Sequence, residues 1–563
     1  MKRALPVAAL FLSACTAPIH PDTSFVDPIL GIPFSQQTIV RVNSMPRIPE
    51  GYKMTDWRKK ALDYDAYVFD WNRSGPVGPI IWLDTSRKNV DQDCFGLYTA
   101  VGDVRQGPSH PSAHEGINTI AAVLSGGLMG IDKTNQDGYN YPRMLQNYFA
   151  VDNGWGIMLN GTSGFATDWW YNLLPNILYY GVCDLFPEVE GARAIQRSIA
   201  DRFSQADDAL GDNYGYSFFN YGTMKGFVNG IPVQQDAAGG HAYVLLCAYR
   251  LFGDSFYLER AKHAASVLDS QTESRFYEIL MPFGIYAAAC LNAMEGTRFD
   301  LSKMLEWTFD GSRGRPGWGV LLGRWGDYAV DGLQGSITDG GGYAFQMNSY
   351  EMAWPLVPMV KYAPQYARMI GRWMLNNAYS SRLFFPDEID DAHQSCAEIK
   401  DLTHGIIGYE GLRRTDRYGI LSGSPVAQGD GPTWAGSNPP STMFSLYSTS
   451  PVGIFGSIIA PTDVDGILSL DCNATDFYAD RAYPVHLLYN PFKETKTVSY
   501  IPEGRADLFD IVACDYIARD VSGSTSLDIS ADTAILVIEL PSGTELKEHN
   551  GHIVADRQHV IVW

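Results

Sequence analysis

The sequence has no cysteine framework. Its eight cysteines, Cys15, Cys94, Cys183, Cys247, Cys290, Cys396, Cys472 and Cys514, lie far apart with no CxxC spacing, and an odd number remains once Cys15 is set aside. Neither a disulfide scaffold nor a zinc site follows from such spacing, so no metal and no cofactor is expected. Cys183, Cys247 and Cys290 fall in apolar stretches, where a free thiol behaves as a small buried hydrophobe. A basic run is also lacking: 42 Lys and Arg stand against 63 Asp and Glu, for a net charge of −21. Phosphate binding needs clustered cations, which excludes nucleic acid as an expected partner. Beyond the first residues no stretch of 18 apolar residues runs free of charge, so no spanning helix is expected.

What the N-terminus does have is an export signal. Lys2 and Arg3 are followed by the mostly apolar Ala4 to Leu12, then by the small Ser13 and Ala14, and then by Cys15. A basic start, a short apolar stretch and small residues at a cut site make a secretory signal. Leu12-Ser13-Ala14-Cys15 resembles a lipobox, which implies cleavage after residue 14 and lipid on Cys15. Several acyl chains give stable anchoring where one does not. Thr16 in place of an acidic retention residue points to the outer membrane, with the soluble part facing the periplasm or the cell surface. The membrane is a partner only through this anchor. A polar tether is expected over residues 15–33.

From there to about residue 380 the pattern alternates between an apolar helix and an amphipathic one. His114–Gly130 is followed by Tyr141–Ala150, Asp168–Cys183 by Gly191–Leu210, and Asp236–Leu251 by Ser255–Leu268. Arg275–Met294 precedes Leu301–Phe309, and Tyr343–Tyr362 precedes Pro364–Ala378. A helix apolar all round is buried on every side, whereas a single apolar stripe marks an outer helix. The amphipathic Thr55–Trp71, with a less regular partner, completes a sixth pair. The expected fold is mainly α, an (α/α)6 toroid, although periodicity alone would also suit an open solenoid. Residues 380–483 read as irregular and acidic. From 484 to 563 short strands rich in Val, Ile and Thr predict an antiparallel β-sandwich: His486–Tyr489, Thr497–Ile501, Ala506–Phe509, Thr525–Ile529 and Ala534–Leu540. The toroid with its irregular segment thus spans 34–483.

Three stretches carry a family resemblance: Gly340–Asn348 leading to Tyr350-Glu351-Met352-Ala353, His404–Arg413, and Leu488-Tyr489-Asn490-Pro491. With the toroid and sandwich layout, the chain resembles the six-hairpin glycosidase-like carbohydrate-active proteins, which include glycoside hydrolases and polysaccharide lyases. The resemblance implies a saccharide substrate and does not name a sugar.

In such a toroid the inner helices aim their N-termini, with free N–H groups and a positive dipole end, into one cleft. The candidate acids are therefore Glu115, Asp168, Asp236 and Glu351, with Glu410 from the His404–Arg413 stretch. Asp168 and Asp236 equally suit helix caps, and Glu115 a dipole-favoured first turn. The candidate sugar contacts are His114, Trp169, Trp170, His241, Tyr343, Asn348 and His404. For His241 and the tryptophans a plain core role is the alternative. Asp387, Glu388, Asp390, Asp391, His393 and Asp401 form an acidic loop without an established metal-loop spacing.

Three activities fit this set. Glycoside hydrolysis needs two carboxyl groups, one donating a proton and one activating water or attacking the sugar. A polysaccharide lyase would instead abstract a proton beside a uronate, using Tyr343, Asn348 and His241. A surface glycan-binding lipoprotein would keep the aromatic residues and need no paired acids.

Overall fold

A computed structural model describes residues 31–151, 154–162 and 166–563. The expected export signal, Cys15 and most of the expected tether lie outside the described residues. Among the described residues no helix is long and apolar enough to cross a membrane.

The helices form a closed double ring. In chain order they are α1 Trp57–Val68, α2 Gly116–Leu128, α3 Tyr141–Met144, α4 Trp169–Leu185, α5 Ala192–Leu210, α6 Ala237–Phe252 and α7 Ser255–Ser270. There follow α8 Leu280–Glu295, α9 Leu301–Phe309, α10 Gln346–Glu351, α11 Ala353–Met359, α12 Ala367–Ser381, α13 Leu446–Thr449 and α14 Val452–Ile458. The inner ring runs α2, α4, α6, α8, α10–α11 and α13–α14, each packing on the next, and α14 returns to α2. The outer ring is α3 with the 3-10 turn after it, α5, α7, α9, α12 and α1. The fold is thus an (α/α)6 toroid, and closure replaces the open-solenoid alternative.

The sixth hairpin is made from the two ends of the toroid. Helix α1 packs on α14, which lies almost 400 residues later in the chain, inside the segment that reads as irregular. The closing contact is tight. A Cβ on Gly453 would fall 2.4 Å from Ser125 Cα of α2, and Ser125 Oγ accepts the Gly453 N–H at 3.1 Å. Only glycine lets the two inner helices approach so closely. Inner helices are buried on nearly every side, as α8 shows from Leu280 to Leu291.

At the C-terminal end of the inner ring Asp476 accepts bonds from Lys361 (2.7 Å) and Tyr362 (3.1 Å), and from Tyr286 as well. Those bonds tie the start of the β-domain to the toroid. The domain begins earlier than residue 484. A six-stranded antiparallel sheet contains Ile459–Pro461 and Leu468–Asp471 as its first two strands, followed in spatial order by Val485–Tyr489, Ala534–Pro541, Ala506–Asp510 and Asp515–Val521. Side chains alternate across it. Leu487, Tyr489, Leu536 and Ile538 join the main core, whereas Leu488 and Val537 join a second core with Val498, Leu527 and Ile529. The paired strands Lys496–Tyr500 and Thr525–Ile529 cover that second core. The opposite face docks on α12, where Gly371 lies against Tyr489 with no room for a Cβ. A three-stranded sheet over Leu546–Val562 ends the chain.

Candidate active site

Four successive inner helices carry an acid at or just before their first residue. Glu115 is the N-cap of α2, Asp168 of α4 and Asp236 of α6, while Glu278 lies two residues before α8. None of the three N-cap acids accepts a capping bond from a first-turn backbone N–H of its own helix, so they do not act as conventional caps. The N-terminal ends converge on a cavity of about 370 Å³ whose walls include Glu115, Trp170, Tyr171, Glu278, Arg315 and Tyr343. Glu410, Arg413, Arg417, Asp430, Trp434 and Tyr447 complete the other side. The irregular segment therefore supplies half the site.

A small sheet sets one wall. Its strands are β1 Trp318–Val320, β2 Gln334–Ser336, β3 Tyr343–Phe345, β4 Gly411–Arg413 and β5 Val426–Gln428, paired antiparallel in that order. The register places Trp318 opposite Ser336, Ser336 opposite Tyr343, and Tyr343 opposite Arg413. One cross-strand row thus faces one way. Arg315 lies 3.6 Å over the Trp318 ring, Trp318 stacks on Tyr343 at 6.3 Å between centroids, and Arg413 lies 4.3 Å over Tyr343. Flat guanidinium groups suit such stacking.

Two carboxyl groups stand out. Glu278 is paired with Arg315 through Oε1, and its Oε2 accepts Asn348 Nδ2 at 3.0 Å. Burial pushes Glu278 up to about 7, against the pull of Arg315. Glu410 accepts the Tyr343 hydroxyl at 2.9 Å and the Asp430 N–H at 2.9 Å. Burial and the nearby Asp430 charge hold it well above the usual carboxylate range. Asp168 accepts bonds from Gln234 and, at 3.3 Å, from the Tyr277 hydroxyl; burial lifts it to about 6. Burial also raises Glu115, which is bonded to Asn160 at 3.1 Å. Perturbed carboxyl groups gathered in one cavity mark a functional site.

The structure brings Glu115, Glu410, Trp170 and Tyr343 into the cavity wall and holds Asp168 beside it through Tyr277 and Gln234. Asn348 stands behind Glu278 and holds it.

The other expectations need correction. Asp236 is fully buried, accepts the Tyr277 N–H at 3.1 Å, and does not reach the cavity wall. Glu351 is fully buried in α10 with no bonded partner on either oxygen. His114 sits between Asp84, at 2.8 Å, and Tyr148. Trp169 packs flat between Tyr214 and Phe219 and donates to Tyr221. His241 is sealed between Tyr221 (2.8 Å) and Tyr214 (3.3 Å), and burial drives it down to about 3, so it stays neutral. His404 is exposed in a left-handed turn beside Tyr67. The trio Tyr343, Asn348 and His241 is therefore not assembled for elimination.

The acidic loop is spent on local pairs: Glu388 with Lys53, Asp391 with Lys400, and Asp390 with Tyr328. Among the described residues no group of three His, Cys, Asp or Glu side chains is arranged to hold a metal.

Sequence reasoning missed Glu278, Arg315, Asp430 and the arginines of β4 and its following turn. For Glu278 a signal existed: it repeats the acid at the start of the three preceding inner helices. The apolar pattern places the helix start at Arg275, whereas the helix starts at Leu280, so Glu278 reads as an interior residue.

No protein-family model matches the sequence, and no curated protein matches it. Solved structures that resemble it include a glycoside hydrolase, at 12% identity over 77% of each chain and a TM-score of 0.33. A GH127 beta-arabinofuranosidase matches at 12% identity over 94% of this chain and 85% of its own, TM-score 0.32. A GH127 beta-L-arabinofuranosidase from Geobacillus stearothermophilus T6 matches at 12% identity over 78% and 74%, TM-score 0.30. Likeness at this level assigns no chemistry, which has to come from the cavity itself.

Proposed function

We propose that this chain is a glycoside hydrolase whose catalytic carboxyl groups are Glu410 and Glu278. The observation that carries the reading is their opposite environment within one aromatic-walled cavity. Glu410 has no cation bonded to it, and burial and the Asp430 charge outweigh the pull of Arg413 and of its two accepted bonds, which favours its protonated form. Glu278 has Arg315 in contact and Asn348 behind it, which offset part of the effect of burial and hold it at about 7. Carboxyl groups whose environments push them apart divide into acid and base. Glu410 gives its proton to the departing glycosidic oxygen, and Glu278 activates water or attacks the sugar. Trp170, Tyr171 and Trp434 offer flat faces for sugar rings.

Paired acids also favour an enzyme over a glycan-binding lipoprotein, which would not need them. The export signal and lipobox-like residues before Cys15 support placing this enzyme on a membrane, with its cavity in the periplasm or at the cell surface.

The test is a set of conservative variants on a glycan the protein cleaves. Glu278→Gln and Glu410→Gln are each expected to lower kcat by about 100- to 10,000-fold with the native circular dichroism spectrum retained. Asp236→Asn and Glu351→Gln are expected to retain kcat. Wild-type turnover in either of the first two variants would remove that residue from the mechanism.

A further inference from the structure

The cavity is electrically lopsided. On one side Asp430 Oδ1 faces two guanidinium groups, Arg417 at 2.5 Å and Arg413 at 3.4 Å. Two guanidinium groups thus share one carboxylate oxygen, and most of their N–H donors remain for another acceptor. On the other side one guanidinium, Arg315, faces two carboxyl groups, Glu278 and, at 3.4 Å, Asp339. Each guanidinium has five donors in a planar fork. Arg413 donates to Asp430 through one nitrogen only, and so does Arg417. Arg413 is nearly buried, with its side chain 10% exposed, and is fixed flat over Tyr343; Arg417 is 40% exposed at the cavity wall. Partly desolvated guanidinium groups with unused N–H donors favour an anion.

We infer that Arg413 and Arg417 form a subsite for an anionic group on the sugar, a carboxylate or a sulfate ester, so that the substrate is an acidic glycan. This deepens the hydrolase reading and rests on it for turnover, but not for binding. The stacked Tyr343 and Trp318 rings lie between Arg413 and the Arg315–Glu278 pair. Trp434, with Arg105 at 4.6 Å over its ring, stands in the same wall.

The experiment is calorimetric titration of the full chain with D-glucuronate, D-glucose 6-sulfate and D-glucose at low ionic strength, where screening is weakest. None of the three has a glycosidic bond to cleave, so the outcome is independent of the proposed reaction. The expected result is at least one anionic sugar binding about tenfold tighter than glucose, a difference of about 1.4 kcal/mol. Tight glucuronate alone identifies a uronate site, and tight sulfate ester alone a sulfated-sugar site. Arg417→Gln, at an exposed position, is expected to abolish the difference with Tm unchanged, and Arg417→Lys to restore part of it. Equal binding of all three sugars, no binding of either anionic sugar, or an anionic preference that survives Arg417→Gln would overturn the inference.

Discussion

Glu278 and Glu410 are both lifted by burial, yet they answer to pH in opposite ways. Glu278 must be ionised, so activity is expected to fall as pH drops through about 7. Glu410 must keep its proton, so activity is expected to fall again as pH rises through its own raised value. A bell-shaped kcat/KM profile with its acid limb near 7 checks both assignments. Arg315→Gln removes the cation that holds Glu278 down, so the acid limb is expected to move to higher pH; an unmoved limb would detach Glu278 from it. Glu351 makes a stability prediction instead. Burial holds it well above the ordinary carboxylate value. In the unfolded chain it ionises at its ordinary pKa, so folded stability is complete below that value and lost as pH rises toward the folded one. Glu351→Gln should match wild-type Tm near pH 4 and exceed it at pH 8, as followed by thermal melts. At this scale the sequence was a partial guide. Acids at inner-helix starts are visible in the residue order, but whether Asp236 faces a cavity or a sealed core depends on packing from other helices. His241 looked available for the same reason: its two tyrosine partners come from the segment before its own helix.

At the scale of elements, closure of the ring decides where the site can form. Helices α13 and α14 start the sixth inner position, and Tyr447 near the start of α13 enters the cavity wall. Gly453 sets how near α14 comes to α2. Gly453→Ala is expected to cost about 1–3 kcal/mol through overpacking, read from denaturant melts, and to loosen the cavity; a cost near zero would mean that the ring seam yields freely. The first five hairpins were legible because most of their helices repeat one period over ten or more residues. Of the sixth only the outer helix was: its inner part is two short helices broken at Pro451, at the far end of the chain from that partner. The small sheet was also hidden. Its three-residue strands are too short to show alternation, and its row Trp318, Ser336, Tyr343, Arg413 exists only through pairing across more than 90 residues.

For the molecule as a whole, the toroid and its β-domain act as one support. Asp476 and Gly371 fix the two together on the side away from the cavity, leaving the N-terminal ends of the inner helices open to a glycan. The lipobox-like Leu12–Cys15 would then tether this body to a membrane. Cys15→Ala is expected to abolish lipid incorporation and to shift the protein from the membrane fraction to the soluble one; continued fractionation with membranes would point to another means of attachment. The most direct test of the proposed chemistry is to incubate the purified protein with a panel of neutral and uronic-acid glycans and to follow reducing ends together with the ultraviolet absorbance of an unsaturated uronate. New reducing ends without that absorbance, lost in Glu410→Gln, are the expected result. Absorbance rising with cleavage, or products that persist in Glu410→Gln, would contradict acid–base hydrolysis at this site.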